Sequence, residues 1–182
     1  MRFFIASDIH GSAYYCRKLL DAYKSESADR LLLLGDLLYH GPRNPLPEGY
    51  DPMAVADMLN SVSDSIICVR GNCDSDVDQM VLDFPIMADY VMLQAERRLV
   101  FATHGHLLEG NVRQKFKSSD VIFCGHTHAA GCCVEDGILR CNPGSVSLPK
   151  GDTPRGYMLL SGGRLEWKKL DGEVYIVREI GD

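Results

Sequence analysis

Phe3-Phe4-Ile5-Ala6-Ser7-Asp8-Ile9-His10 opens the chain with a short apolar run that ends in a carboxylate and an imidazole. Four later runs repeat the arrangement. Leu31-Leu32-Leu33-Leu34 leads to Asp36, Ile66-Ile67-Cys68-Val69 to Asn72, Leu99-Val100-Phe101-Ala102 to His104, and Val121-Ile122-Phe123-Cys124 to His126 and His128. Apolar runs of this length read as buried strands. Open α/β folds bind ligands beyond the carboxyl ends of such strands, so these donors should gather along one edge of a sheet. Polar residues that merely cap buried strands would explain neither the order nor the donor chemistry, and a metal centre explains both.

Local geometry supports convergence. In extended chain, residues i and i+2 point to the same side, so Asp8 and His10 should face one way, and His126 and His128 likewise. Asp36 has two carboxylate oxygens and can bridge two cations. Seven donors exceed the needs of one four-coordinate ion but suit two octahedral-like ions about 3.5–4 Å apart. Imidazole and carboxylate ligands accept manganese, zinc, iron, nickel or cobalt.

Working outward, the first half alternates strand and helix. A strand over residues 2–7 leads to a helix capped by Ser12, with Leu19, Leu20 and Tyr23 as core positions. After the strand at residues 31–34, Pro42, Pro45 and Pro47 exclude regular structure, which predicts a loop overhanging Asp36. Asp51-Pro52 reads as N-cap and N1 of a helix running through Met58 and Leu59, followed by a strand at residues 66–69. The second half changes character. A helix is expected from Asn111, and Asp136-Gly137, Gly162-Gly163 and Asp171-Gly172 signal antiparallel hairpins. Cys132-Cys133 reads as one residue in and one out on a strand, and Ser145 after Asn142-Pro143-Gly144 as the stabiliser of a tight turn. Parallel βαβ units followed by hairpins imply an α/β fold, a four-layer α/β/β/α sandwich of two mixed sheets. No repeat or linker divides residues 1–182, so a single domain is expected.

Bulk properties set outer limits. The 182 residues are 46% hydrophobic and 24% charged, ordinary for a globular domain with a full-sized core. A net charge of -6 without a Lys/Arg run argues against a nucleic acid polymer as partner. Seven cysteines, an odd number without a CxxC pair, fit reduced thiols in the cytoplasm better than export. Asp8 and His10 interrupt the opening run too early for a signal-peptide core, and no run approaches membrane-spanning length, so no membrane partner is expected.

Asp8-x-His10, Gly35-Asp36, Gly71-Asn72, His104-Gly105-His106 and Gly125-His126-Thr127-His128 resemble, in order, the motif set of the calcineurin-like metallophosphoesterases. The resemblance spans residues 1 to about 150. Gly71-Asn72-Cys73-Asp74 and Asn142-Pro143-Gly144-Ser145 look like a branch of small phosphodiesterases within it. Each motif alone is weak, but five in order at strand ends are strong. The resemblance implies a hydrolase of small phosphodiesters holding two divalent metal ions, manganese first among them. Asp8, His10 and His128 would hold one ion, Asn72, His104 and His126 the other, and Asp36 would bridge them. Two divalent cations against two carboxylates and a bridging hydroxide leave about one positive charge, which attracts an anionic phosphate. The hydroxide would attack phosphorus in line. Catalytic roles would fall on Asn72 and His104, and on His106, two residues beyond a ligand. The family also includes dimers and tetramers, so a homodimer or homotetramer is compatible with it.

One position departs from the pattern. Many family members carry a histidine after the GN asparagine, where it is thought to assist the leaving group; here Cys73 stands there. A thiol is a poor general acid for an alkoxide, so aryl and other activated diesters should be favoured. His106 and His40 are candidates to fill the role in part, while Cys73 itself reads as a space-filler at the rim. The rival to catalysis is a protein-binding scaffold such as the retromer subunit that shares this fold. That relative departs from the ligand pattern at positions enzymes need, whereas all seven donors are present here.

Overall fold

The computed structural model describes residues 1–95, 97–108, 116–117 and 120–180. β1 (Phe3–Ala6), β2 (Arg30–Leu33) and β3 (Ile66–Cys68) pair in parallel, joined by α1 (Ala13–Glu26) and α2 (Pro52–Asn60). Both helices start where their caps predict. The Ser12 hydroxyl accepts from the Tyr15 amide, the Asp51 carboxylate from that of Ala54, and Pro52 occupies the first turn, where its missing N–H costs nothing.

β4 (Tyr90–Ala95), β5 (Arg98–Thr103), β6 (Val121–Phe123), β7 (Gly131–Glu135) and β8 (Ile138–Asn142) form a second sheet in the order β4-β5-β6-β8-β7. β9 (Gly156–Ser161), β10 (Arg164–Lys169) and β11 (Val174–Glu179) return to the first sheet, giving β11-β10-β9-β1-β2-β3. Both sheets are mixed and pack face to face, as the sequence predicts. The period of two along each strand sorts the apolar residues. Phe4, Ala6, Leu31 and Leu33 face α1 and α2, meeting Leu19, Tyr23, Val55 and Leu59. Phe3, Ile5, Leu32 and Leu34 face the second sheet and meet Val100, Ala102, Val121 and Phe123. Burial on both faces is why these runs are continuously apolar rather than alternating. Truncating one such residue, as in Leu32→Ala, should cost about 2–5 kcal/mol.

The structure corrects several expectations. The five apolar runs do not share one sheet edge: three end in the first sheet and two, β5 and β6, in the second, so the donors gather where the ends of both sheets meet. Asp136-Gly137 and Gly162-Gly163 make two-residue turns with positive φ, at φ 53 and 78 and at φ 54 and 75. Asp171-Gly172 instead lies in a longer loop, closed by the Lys169 amide on the Glu173 carbonyl at 2.9 Å. Cys132 and Cys133 are both exposed, because β7 is an edge strand. The helix expected from Asn111 falls outside the described residues. On the outer face of the second sheet, Phe101, Leu108, Ile122 and Ile138 form a third cluster. Among the described residues no helix is long and apolar enough to cross a membrane.

Candidate metal centre

The loops after β1 and β2 run side by side beyond the strands. The Asp8 amide donates to the Gly35 carbonyl at 3.1 Å, that of His10 to Asp36 at 2.9 Å and that of Gly11 to Leu37 at 2.8 Å. Asp8, His10, Asp36, His126 and His128 all have positive φ, between 50 and 67. This overturns the extended-chain rationale: the donors converge because the backbone curls left-handed at each one, a conformation that costs non-glycine residues energy and clusters at functional sites. Glycines allow the loops to touch. A Cβ on Gly71 would lie 2.1 Å from Asp36 Oδ1, and one on Gly125 would lie 2.0 Å from Ser7 Oγ and 2.8 Å from Asp8 Oδ2. The glycines before Asn72 and His126 are therefore a matter of close approach.

The ligand atoms of Asp8, His10 and His128 lie within 4.8 Å of one another, as do those of Asp8, Asp36 and His104. Asp36 Oδ2 is 3.7 Å from His10 Nε2 and 3.5 Å from His104 Nε2. Asn72 Oδ1 is 3.0 Å from His104 Nε2. His126 belongs to none of these groups of three. Its amide donates to Asp8 Oδ2 at 3.2 Å, and its ring centroid stands 5.2 Å from that of His104.

Each buried imidazole is oriented by a main-chain carbonyl: His10 Nδ1 meets Tyr39 O at 2.9 Å, His104 Nδ1 meets Leu34 O at 2.6 Å, and His128 Nδ1 meets Leu148 O at 2.7 Å. A carbonyl only accepts, so each Nδ1 carries a proton. At His10 and His128 this leaves Nε2 turned inward with a lone pair, whereas His104 Nε2 meets another acceptor, Asn72 Oδ1, and carries a proton there until a metal replaces it. His10 Nε2 and His128 Nε2 then confront each other at 3.1 Å, and Asp8 Oδ1, fully buried, has no hydrogen-bond partner. Buried polar atoms are rarely left in that condition without a role. A divalent cation among these atoms satisfies all three, so the donor set fits a metal.

Electrostatics agree. Burial opposes the Asp8 carboxylate, yet the adjacent His10 and His128 rings and the charge of His104 hold it well below the usual carboxylate range. Burial also opposes charging His104, but Asp36 and Asp8 prevail and raise it to about 9. The carboxylates thus draw positive charge, whether as protons on imidazoles or as a metal ion.

Other singled-out residues divide. Cys73 is closer than a rim residue: its sulfur lies within 4.8 Å of ligand atoms of both His10 and Asp36, and burial first, then Asp36, pushes the thiol up to about 12. His106 stands with its ring 5.3 Å from that of His104 and 6.2 Å from that of His126, and burial and those two rings lower its pKa. His40 packs edge-on against Tyr39 and Tyr50 and joins no ligand group. Ser145 does more than close a turn: its hydroxyl donates to the Asp8 carbonyl at 2.7 Å and accepts from the Leu148 amide at 2.9 Å.

Sequence reasoning missed the role of Asp74. Its buried carboxylate accepts from three amides, Asp36 at 2.8 Å, Leu37 at 2.9 Å and Gly71 at 2.7 Å, and so ties the Asp36 loop to the Asn72 loop. The only local signal was an acid two residues after Asn72. A cavity of ≈ 290 Å³ opens over the centre, lined by Asp36, Asn72, Cys73, His126 and His128, with Arg43, Asn44 and Lys150 on its walls. No sequence feature had marked Arg43 or Lys150.

The calcineurin-like phosphoesterase superfamily domain matches residues 1–163 of the chain. The chain is 43% identical over 178 residues to phosphodiesterase YfcE of Escherichia coli strain K12, covering 98% of this chain and 97% of that protein. It is 31% identical over 168 residues to the probable metallophosphoesterase YsnB of Bacillus subtilis, covering 88% and 84% respectively. The solved structure of the E. coli phosphoesterase YfcE superposes with a TM-score of 0.93 at 42% identity, over 100% of both chains.

Proposed function

The chain belongs to the calcineurin-like phosphoesterase superfamily, and from that premise we propose that its centre hydrolyses small phosphodiesters with two divalent metal ions bound. The observation that carries this is the unpartnered Asp8 Oδ1 facing the inward lone pairs of His10 and His128, with Asp36 reaching toward both His10 and His104. Asp8, His10 and His128 would hold one ion, Asn72, His104 and His126 the other, with Asp36 shared. Bound there, the ions would polarise the phosphate oxygens and supply a water-derived nucleophile at neutral pH. Manganese is the metal we propose first, with zinc, iron, nickel and cobalt compatible with the same donors.

The chain's own residues do the rest. The carbonyls of Tyr39, Leu34 and Leu148 hold three imidazoles with Nε2 toward the carboxylates of Asp8 and Asp36. Asp74 fixes the backbone that presents Asp36, and Ser145 fixes that of Asp8. Asn72 lines the cavity with His104 Nε2 behind it at 3.0 Å from its Oδ1, and His106, its ring 5.3 Å from that of His104, would steady the phosphate. Cys73, protonated but with its pKa near 12, is a weak acid, which supports a preference for aryl and other activated diesters whose leaving groups depart unaided. Seven free thiols, four of them buried, suit a reducing cytoplasm.

The test is a metal-by-substrate screen on metal-stripped protein, comparing aryl phosphodiesters, phosphomonoesters and cyclic nucleotides. Manganese should restore turnover of the aryl diesters above the others. Failure of every divalent metal to restore diester hydrolysis would sink the proposal.

A further inference from the structure

Arg43 and Lys150 stand on the walls of the cavity above the centre, and neither enters an ion pair among the described residues. Six other basic side chains are paired with acids: Arg2, Arg70, Arg140, Arg164, Lys168 and Lys169. In a chain of net charge -6, two uncompensated cations aimed at one small cavity call for a reason.

Their placement is built. Arg43 rides on the loop that follows Asp36, where the Tyr39 carbonyl meets His10 and Asn44 donates to the His40 carbonyl at 2.9 Å. Lys150 is pinned from the other side by its amide, which donates to the His128 carbonyl at 3.0 Å. Each cation is thus one short loop away from a proposed metal ligand, and the two loops come from different parts of the fold.

Charge decides what they can be for. Two divalent ions against Asp8, Asp36 and hydroxide leave about one positive charge, enough to match the single negative charge of a phosphodiester. Among the described residues Asp36 is the one carboxylate lining the cavity, so there the charges of Arg43 and Lys150 remain unmatched by either protein or scissile phosphate. A guanidinium takes two oxygens of a phosphate at once, and an ammonium adds a point charge. The geometry points to a substrate class: small phosphodiesters whose retained arm carries a second phosphate, held between Arg43 and Lys150. This rests on the phosphodiesterase reading and narrows it. At ≈ 290 Å³ the cavity takes a short arm rather than a polymer.

The experiment compares p-nitrophenyl 2-methoxyethyl phosphate with p-nitrophenyl 2-(phosphonooxy)ethyl phosphate, which share the scissile bond and the leaving group and carry no free hydroxyl to attack it. With manganese-loaded protein, kcat/KM should favour the phosphorylated diester by about tenfold, as two exposed charge contacts allow. That ratio should fall to about one in Arg43→Gln/Lys150→Gln and lie between in Lys150→Gln alone. Calorimetry supplies a second readout: ethylene glycol bisphosphate should bind more tightly than the monophosphate to the wild type, and the difference should vanish in the double variant. No preference in the wild type, or a preference that survives both substitutions, overturns the inference while leaving phosphodiester hydrolysis intact. If neither diester turns over, the phosphodiesterase reading fails, and the calorimetric comparison still decides whether the two cations hold a second phosphate.

Discussion

Two clusters of charge at opposite ends of β1 are built in opposite ways, one buried and one partly exposed. At the carboxyl end of β1, Asp8 is fully buried with one oxygen unpartnered, and two imidazoles face each other with no proton to share. Near the other end of β1, Glu26 at the close of α1 accepts from Arg2 at 2.6 Å, from the Tyr157 hydroxyl at 2.8 Å and from Lys168. In the second cluster both Glu26 oxygens are partnered as they stand, although Arg2 Nε beside them is not, and in the first the Asp8 oxygen and two imidazoles are satisfied only by a cation. Buried polar groups that satisfy one another hold a fold together, whereas buried groups that cannot are where a ligand belongs. Substitutions on the two sides should therefore fail differently.

The largest effect is expected at Asp36, whose Oδ2 reaches toward imidazoles on both sides of the centre. Asp36→Asn removes a negative charge that both ions would share. Turnover of an aryl diester should fall by about 10³-fold, since metal stabilisation of this chemistry is worth several kcal/mol. Bound metal per chain should drop at both sites. A variant that keeps two ions and near-normal turnover would break the comparison at its strongest point.

Asp74 lies between the two kinds of cluster: it is satisfied like Glu26, yet it serves the unsatisfied one. Asp74→Asn replaces one of the two acceptor oxygens by an NH2 group that can only donate, opposite backbone N–H groups that also donate. Metal affinity should weaken by about 10–100-fold, the usual penalty for losing the support behind a ligand. Stability should also fall by about 1–3 kcal/mol. If metal titration and denaturant unfolding show only the stability loss, Asp74 belongs with the structural residues.

How these residues could be read in advance differs by residue. Asp8, Asp36, Asn72, His104, His126 and His128 were legible because both signals are local, an apolar run and a donor just past it. The same runs gave the strands to within one residue, β1 as Phe3–Ala6 and β3 as Ile66–Cys68. The left-handed backbone at five ligands was not legible, since alternation in extended chain predicts the same residues for a different reason. Asp74 escaped because its function consists of hydrogen bonds to residues up to 38 positions away. The β4–β5 hairpin escaped because it closes without glycine, asparagine or aspartate at the turn. Cys132 and Cys133 were misjudged because edge position is a property of the sheet order, not of the strand.

Cys73 sharpens the comparison from inside the centre. If an imidazole is what that position usually contributes, Cys73→His should speed diesters with strongly basic leaving groups by up to about 100-fold and change aryl diesters little. Cys73→Ala should leave aryl diester hydrolysis largely intact. Measuring both variants on diesters of graded leaving-group pKa, with manganese saturating, separates the cases. A large loss in Cys73→Ala at unchanged metal content would show that the thiol, which lies within reach of His10 and Asp36, takes part in the chemistry.

The smallest effect is expected at Glu26, and its pH dependence is what identifies a satisfied charge. Burial raises the Glu26 pKa, but Lys168, the Tyr157 hydroxyl and Arg2 outweigh it, and the net shift is downward from 4.5. A carboxyl whose folded pKa lies below its unfolded one contributes stability above the unfolded value and loses it as pH falls through the folded value. Glu26→Gln keeps the shape and removes the charge. It should therefore cost about 1 kcal/mol at pH 7, a modest figure because Arg2 is partly exposed and solvent screens its share. The difference between wild type and variant should hold down to about pH 4.5 and close below it as Glu26 becomes protonated. Denaturant unfolding of both proteins from pH 7 to pH 3 measures this directly, with diester turnover at neutral pH unchanged. A gap that persists unaltered into acid would mean that the variant fails through packing, and Glu26 could no longer stand as the paired counterpart to Asp8.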